Sequence, residues 1–364
     1  MKKRFPLTIS RGTFTGSENL FVFLNRKNNI GIGEMCPGLT EGSETAEDGK
    51  AQIEKFLNET GSISSSVIEN YERAFEYKLA PCALAALDIA LWDLIAKEAN
   101  MPLFKLFGLN LPSVSTSITL GIMPLEEIEE RVSYLRKNNM LRNLKIKLGS
   151  PEGIDRDKEI LERILHFTKN ECNNLRVDAN GGWALDDAQK MLKWLFKMGV
   201  EYVEQPLPKG EEEDLKFLFK NRPLPIFVDE SCRNSKDILS LSKCVDGINL
   251  KLMKCGGLTE AIKMVTIARN VNLKTMIGCM GESSVSISAG CSIGSLFDYI
   301  DLDSHFNLDP DPTSGVTYID GIVTPVNKHG HGAYFNNAKY RSKNCYLCGR
   351  EYGHFIRKNG RGCN

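Results

Sequence analysis

Three acidic residues close three successive hydrophobic runs: Asp178 in LRVDAN, Glu204 in EYVEQP and Asp229 in PIFVDE. They stand 26 and 25 residues apart, and a lysine-bearing run lies on each side of the trio. KIK places Lys147 31 residues before Asp178, with Lys145 two positions earlier, and INLKLMK places Lys251 22 residues after Asp229. One strand, one helix and two loops of a β/α barrel occupy about that length, and strand C-termini in such a barrel converge on one mouth. Three carboxylates would then share a pocket with amines on two sides. Carboxylates alone are hard oxygen donors, which suits Mg²⁺, whereas zinc would require histidine or cysteine. The five histidines, at 166, 305, 329, 331 and 354, include none at a ligand-bearing strand end.

A lysine that acts as a base near neutral pH must bring its pKa from about 10.4 to roughly 7–8. That difference corresponds to about 4 kcal/mol, and one positive charge ~4 Å away at an effective dielectric near ~20 supplies that much. Lys145 beside Lys147, with a metal nearby, can provide it. The metal would also hold the enediolate formed when a proton leaves a carbon next to a carboxylate. Bases on opposite sides of that carbon would remove a proton from one face and return one to the other.

These residues need elements to position them. From Ser115 onward, strand and helix patterns alternate regularly. Strand candidates are 116–120, 144–148, 175–179, 201–204, 225–229, 247–251, 274–279 and 298–302. Amphipathic segments lie between them. Over 184–198, Leu185, Ala188, Leu192, Leu195 and Met198 recur at helical spacing; another segment, 258–270, opens after Gly256-Gly257. Eight strands separated by helices predict a closed parallel barrel. Strand alternation puts Lys145 and Lys147 on one face, Asp178 with Asn180, and Asp301 with Asp303 in YIDLDS. Residues 1 to about 110 lack the alternation. There, Leu20–Leu24 and Ile30–Glu34 flank Asn28-Asn29 as a hairpin, and PCALAALDIALWDLIAKEAN, apolar on nearly every face, predicts a buried helix from Pro81. Asp88 and Asp93 on it read as buried structural partners. Gly31-Ile-Gly33 is no dinucleotide loop, since no helix with a third glycine follows. The segment 310–335, rich in Gly, Pro and Asp, is expected to return to the N-terminal region.

The 364 residues exceed one small domain and fit a barrel plus an appended unit. A formal net charge of zero gives no global reason to expect nucleic acid or an anionic membrane as partner. No apolar run is long enough to span a bilayer, and no signal-peptide core follows Lys2-Lys3-Arg4. Eleven cysteines, most scattered singly through apparent core segments, read as reduced thiols and point to a cytoplasmic protein.

The runs ISRGT, ALDIALWDLIAKEANMPLFKLFG, KIK, VDAN, VEQPLP, DESC, LKLMKCGG, GCMGES and DLD together resemble the dipeptide epimerases of the muconate-lactonizing subgroup of the enolase superfamily. They span residues 9–303, most of the chain; DLD is the more specific signal for dipeptides. The resemblance implies a modified TIM (β/α) barrel under an N-terminal α+β capping domain. The cap would cover 1–110, completed by part of 305–335, with the barrel over 111–309 and a basic, cysteine-containing tail over 336–364 that is expected to be disordered. Asp178, Glu204 and Asp229 would bind one Mg²⁺, Lys147 and Lys251 would be the acid/base pair, and Lys145 their electrostatic neighbour. Asp301 and Asp303 would meet the dipeptide's α-ammonium, or else merely cap the loop after the last strand. Arg11 would meet a glutamyl side chain, or else be an exposed turn residue. Thr119 would line the pocket, and Glu282 counts with the substrate side, though solvent exposure fits it equally. Glu230 would support the site from behind. Lys254, three positions beyond Lys251, reads as loop surface. The loop around Cys36–Thr45 would lie over the mouth and help choose the side chain.

The implied activity is inversion of the α-carbon of a dipeptide's C-terminal residue, with alanyl-glutamate from peptidoglycan turnover as leading substrate and self-association as the family's habit. Rivals are a cycloisomerase, an o-succinylbenzoate synthase, an N-acylamino acid racemase, or a catalytically retired ligand-binding barrel. Two departures stand out. The chain begins almost at the Arg11 motif, which predicts a cap sheet short of an edge strand or a truncated start. The tail adds Cys345, Cys348, His354 and Cys363, whose spacing permits a zinc site but is unusual for one.

Overall fold

The computed structural model describes residues 1–61, 63–168, 171–337, 346–349 and 352–358. The chain opens with two antiparallel strands, β1 (Lys2–Ile9) and β2 (Gly12–Gly16), so a strand does precede Arg11. The expected hairpin follows as β3 (Leu20–Arg26) and β4 (Asn29–Met35). Its two-residue turn is Lys27-Asn28, one position earlier than expected, and Lys27 takes the left-handed φ of 53° that such turns demand. Three helices cover this sheet: α1 (Ala46–Thr60), capped by the Thr45 hydroxyl, α2 (Val67–Glu76), capped by Ser66, and α3 (Pro81–Glu98). Proline at the first turn starts α3, and its nearly all-apolar surface is buried between cap and barrel. Gly31 and Gly33 permit this packing. A Cβ on Gly33 would fall 1.9 Å from the Ala86 carbonyl oxygen, so helix and strand backbones meet directly.

The barrel strands are β5 (Ile118–Leu120), β6 (Asn143–Lys147), β7 (Asn174–Asp178), β8 (Val200–Glu204), β9 (Ile226–Val228), β10 (Gly247–Lys251), β11 (Lys274–Gly278) and β12 (Tyr299–Asp301). They form one eight-stranded parallel sheet in sequence order. The ring closes between its first and last members through a parallel bridge from Thr116 to Ile300, with the Thr116 hydroxyl accepting from Leu302 N at 2.9 Å. Helices Leu185–Lys197 and Leu258–Asn270 occupy the two amphipathic segments, and Ala188, Leu192 and Leu195 of the first are buried.

The 310–335 segment does turn back toward the cap. His331 N donates to Asp93 on α3 at 2.9 Å, and Leu103 N donates to Gly330 O at 2.7 Å. Asp88 is buried against Thr259, and Asp93 against Ile32 N and Lys97, as their structural reading required. Within the tail, residues 346–349 and 352–358 are among those described. Strands Tyr346–Gly349 and Tyr352–Lys358 pair antiparallel, and the second of them also pairs antiparallel with β3. Cys345 and Cys363 lie outside the described residues, and Cys348 and His354 fall within these strands.

Candidate active site

Strand register sets the functional side chains at one level. Lys147, Asp178 and Glu204 are successive partners across β6, β7 and β8, and Asp229 follows directly on β9. On the far side, Lys251, Gly278 and Asp301 are successive partners across β10, β11 and β12. β6 and β10 are the second and sixth strands of an eight-stranded ring, so Lys147 and Lys251 enter the mouth from opposite sides. One cavity is lined by Lys145, Lys147, Lys251, Thr119, Asp301 and Asp303 together, and extends outward past Lys3, Arg131 and Tyr134.

Beneath the amines the carboxylates are buried and paired. Lys147 Nζ lies 2.5 Å from Asp178 Oδ2, Lys145 Nζ lies 3.2 Å from Glu204 Oε2, and Lys251 Nζ lies 2.7 Å from Asp229 Oδ2. Lys145 also contacts Asp301 Oδ2. The other oxygen of each lower carboxylate is held by the scaffold. Asp178 Oδ1 accepts from Asn180 N at 2.8 Å, Glu204 Oε1 from Asn249 Nδ2 at 2.6 Å, and Asp229 Oδ1 from Lys254 Nζ at 2.6 Å.

Burial raises the pKa of Glu204, and with the charge of Asp178 takes it to about 7. Asp229 feels the same burial, but Lys251 and Lys254 outweigh it and hold its pKa well below the usual carboxylate range. Asp178 is likewise lowered: burial opposes, Lys147 and Lys145 prevail. Burial also works against the charge on Lys251, yet Asp229 and Glu204 overcome it and raise that pKa above the ordinary lysine value. These ion pairs therefore hold Lys251 toward its charged form.

The expected residues separate into two groups. Lys145, Lys147, Lys251, Thr119, Asp301 and Asp303 share the cavity; Thr119 N donates to Asp303 Oδ2 at 2.6 Å, and Asp301 Oδ1 is buried with no protein partner. Arg11 is not in it. It pairs with Glu230 at 2.5 Å and donates to Asn180 O at 3.2 Å, in an adjoining groove with Ser10, Thr40 and Lys209. Glu282 is buried, not solvent-facing, and accepts from Met280 N at 3.0 Å. Lys254 corrects the surface reading: it is 3% exposed and reaches Asp229 and Asn249 O. Asn249, fully buried, was missed; its alternation with Lys251 along β10 was the available signal.

Among the described residues, no three acidic, histidine or cysteine side chains already surround a common point. Three ammonium groups occupy the carboxylate oxygens that would do so. The donor set is nevertheless all hard oxygen on adjacent strand ends, within one another's electric fields, and its charge is balanced only by cations. It fits a small divalent ion.

Residues 1–108 match the profile of the mandelate racemase/muconate lactonizing enzyme N-terminal domain, and residues 127–339 match the enolase C-terminal domain-like profile. A hydrophobic dipeptide epimerase from Roseobacter litoralis is 55% identical over 93% of this chain and 97% of its own. Another hydrophobic dipeptide epimerase, from a Flavobacteria bacterium, is 52% identical over 93% of this chain and 97% of its own. The crystal structure of a dipeptide epimerase from Enterococcus faecalis, complexed with Mg and the dipeptide L-Leu-L-Tyr, superposes with a TM-score of 0.84 at 31% identity, covering 92% of this chain and 96% of that one. With both profiles matched and these relatives aligned along nearly their whole length, the chain belongs to the mandelate racemase/muconate lactonizing enzyme family of the enolase superfamily.

Proposed function

We propose that the protein is a Mg²⁺-dependent dipeptide epimerase that inverts the α-carbon of the C-terminal residue by proton transfer between two lysines. The observation that carries this is the placement of Lys147 and Lys251 on opposite strands of the ring, lining a cavity that also holds Asp301 and Asp303. The tetrahedral α-carbon between the two amines would lose its proton to one, become planar as its electron pair moves onto the neighbouring carboxylate, and regain a proton from the other on the opposite face. Asp301 Oδ1, buried without a partner, and Asp303 beside it favour a substrate ammonium, because an unpaired buried carboxylate oxygen gains most from a charged donor. Asp178, Glu204 and Asp229 would hold Mg²⁺, which supplies positive charge to the substrate carboxylate and the electron density that builds there. Lys145 bridges Glu204 and Asp301, so the metal side and the ammonium side are fixed relative to each other. The cap excludes water from the carbanion.

An apolar residue is the better reading of the inverted position than the glutamate first expected. The relatives at 55% and 52% identity bear hydrophobic names, and the arginine once assigned to a glutamyl carboxylate is already paired with Glu230. The test is deuterium uptake at the α-carbon in D₂O with Mg²⁺, across Ala-X dipeptides and their N-acetyl forms. Uptake is expected for free-amine dipeptides, most for apolar X, and lost on N-acetylation. Uptake with N-acetyl substrates alone would favour an acylamino acid racemase; none with any substrate would favour a retired barrel.

A further inference from the structure

The three buried carboxylates at the mouth share a pattern that the proton-transfer chemistry does not require. Each offers one oxygen to a catalytic-face ammonium and has the other tied to the scaffold by a different residue. Asn180 takes Asp178 Oδ1 through its backbone N–H at 2.8 Å, Asn249 takes Glu204 Oε1 at 2.6 Å, and Lys254 takes Asp229 Oδ1 at 2.6 Å. The anchors are themselves held. Lys254 also donates to the backbone oxygens of Asp229 and Asn249, so it joins the end of β9 to that of β10. Asn249 and Lys254 are 0% and 3% exposed, and neither is positioned by a surface loop. Only Asp178 has a looser arrangement, because Asn180 Nδ2 also approaches Oδ2 at 3.2 Å.

A carboxylate oxygen that already accepts a hydrogen bond has less electron density and less freedom of position to give a cation, so the ion is steered to the other oxygen. Mg²⁺ takes near-octahedral ligands at about 2.0–2.1 Å and suits single-oxygen donors; Ca²⁺ takes 6–8 oxygens at about 2.3–2.6 Å and readily uses both oxygens of a carboxylate. We propose that Lys254 and Asn249, with the Asn180 backbone, are positioning residues that restrict these carboxylates to one oxygen each and so make the site select a small dication over a larger one. This rests on the Mg²⁺-site reading above, and goes beyond it by naming what sets the ion's size.

The test is calorimetric affinity for Mg²⁺ and Ca²⁺ alone, without substrate, in the parent, Lys254→Met and Asn249→Ala proteins. The ratio of the two Kd values is the readout. Loss of the Lys254 charge alters attraction for both dications alike and cancels in the ratio, while Asn249→Ala changes no charge at all. The parent is expected to prefer Mg²⁺, and each variant to shift the ratio about tenfold toward Ca²⁺, the size of effect that residues behind a ligand shell commonly have. Folded variants, checked by cooperative melting, that keep the parent ratio would overturn the proposal. A parent that binds Ca²⁺ at least as tightly as Mg²⁺ would overturn it even if neither variant folds. A parent that binds neither ion removes the Mg²⁺ reading and this one with it, whereas equal binding of both removes only this one.

Discussion

Lys251 and Lys147 have the same chemistry but different keepers: the first is held by Asp229 at 2.7 Å, the second by Asp178 at 2.5 Å. Each ammonium is paired here with a carboxylate that would hold the metal under the proposed function. They enter the cavity from opposite sides, so under the proposed function each is expected to serve one epimer. Lys147→Ala and Lys251→Ala are each expected to lower overall epimerisation by about 10²–10⁴, the usual worth of a positioned general base. Each should also abolish deuterium uptake from one epimer while leaving the other's uptake measurable, with opposite selectivity in the two variants. Identical losses on both epimers would place the two amines on one side. The lysines and carboxylates were legible because each ends a hydrophobic run at barrel spacing. Lys254 was not, because what buries it comes from elsewhere: Asp229 on the neighbouring strand and the carbonyl of Asn249. Arg11 was assigned a substrate partner by resemblance, and its pairing with Glu230, far off in sequence, was not legible.

All eight barrel strands appear where the hydrophobic runs put them, since a parallel strand buried on both faces needs a continuous apolar segment. The cap was harder to read. Its hairpin was visible, but β1 carries Lys2, Lys3, Arg4 and Pro6, too polar a run to announce a strand. The tail hairpin pairs with a strand over 300 residues away, which no local pattern encodes. Gly33 shows how closely the cap elements meet. Gly33→Ala would push a methyl group into the Ala86 carbonyl, and because the clash is with backbone, a rotamer change cannot relieve it. A loss of about 1–3 kcal/mol is expected, the usual cost of overpacking, read as a lower urea midpoint with an unchanged slope. An unaffected midpoint would mean that α3 slides on the sheet freely.

Cap and barrel are joined through buried acids. Glu34 on β4 accepts from Ser283 N at 2.9 Å, Ser286 N at 3.1 Å and Asn19 Nδ2 at 2.7 Å, so a cap strand is bonded to the start of the barrel helix Ser284–Ser292. Glu282 lies in the same seam, and burial raises its pKa to about 8. The folded protein therefore binds a proton there more tightly than the unfolded chain, whose glutamate titrates near ~4.3. This contribution to stability is complete below that value and is lost as pH rises through about 8. Glu282→Gln imitates the protonated acid and should flatten the fall in Tm between about pH 6 and 9. A variant whose Tm follows the parent's pH profile would show that this acid is not what titrates.

The ring of strands is closed by its two ends, Thr116 against Ile300, and β1 near the start is bonded to Asn307 and Asp309 near the barrel's end. Asp301 and Asp303, proposed to meet the substrate ammonium, lie at that same junction, with Thr119 on one side of them. During synthesis, therefore, about 300 residues must be made before the first barrel strand can meet the last. A nascent chain halted earlier would carry Lys147 and its carboxylates in an open, leaking half-ring. Chemistry that needs both Lys147 and Asp301 would begin only once the last stave is in place.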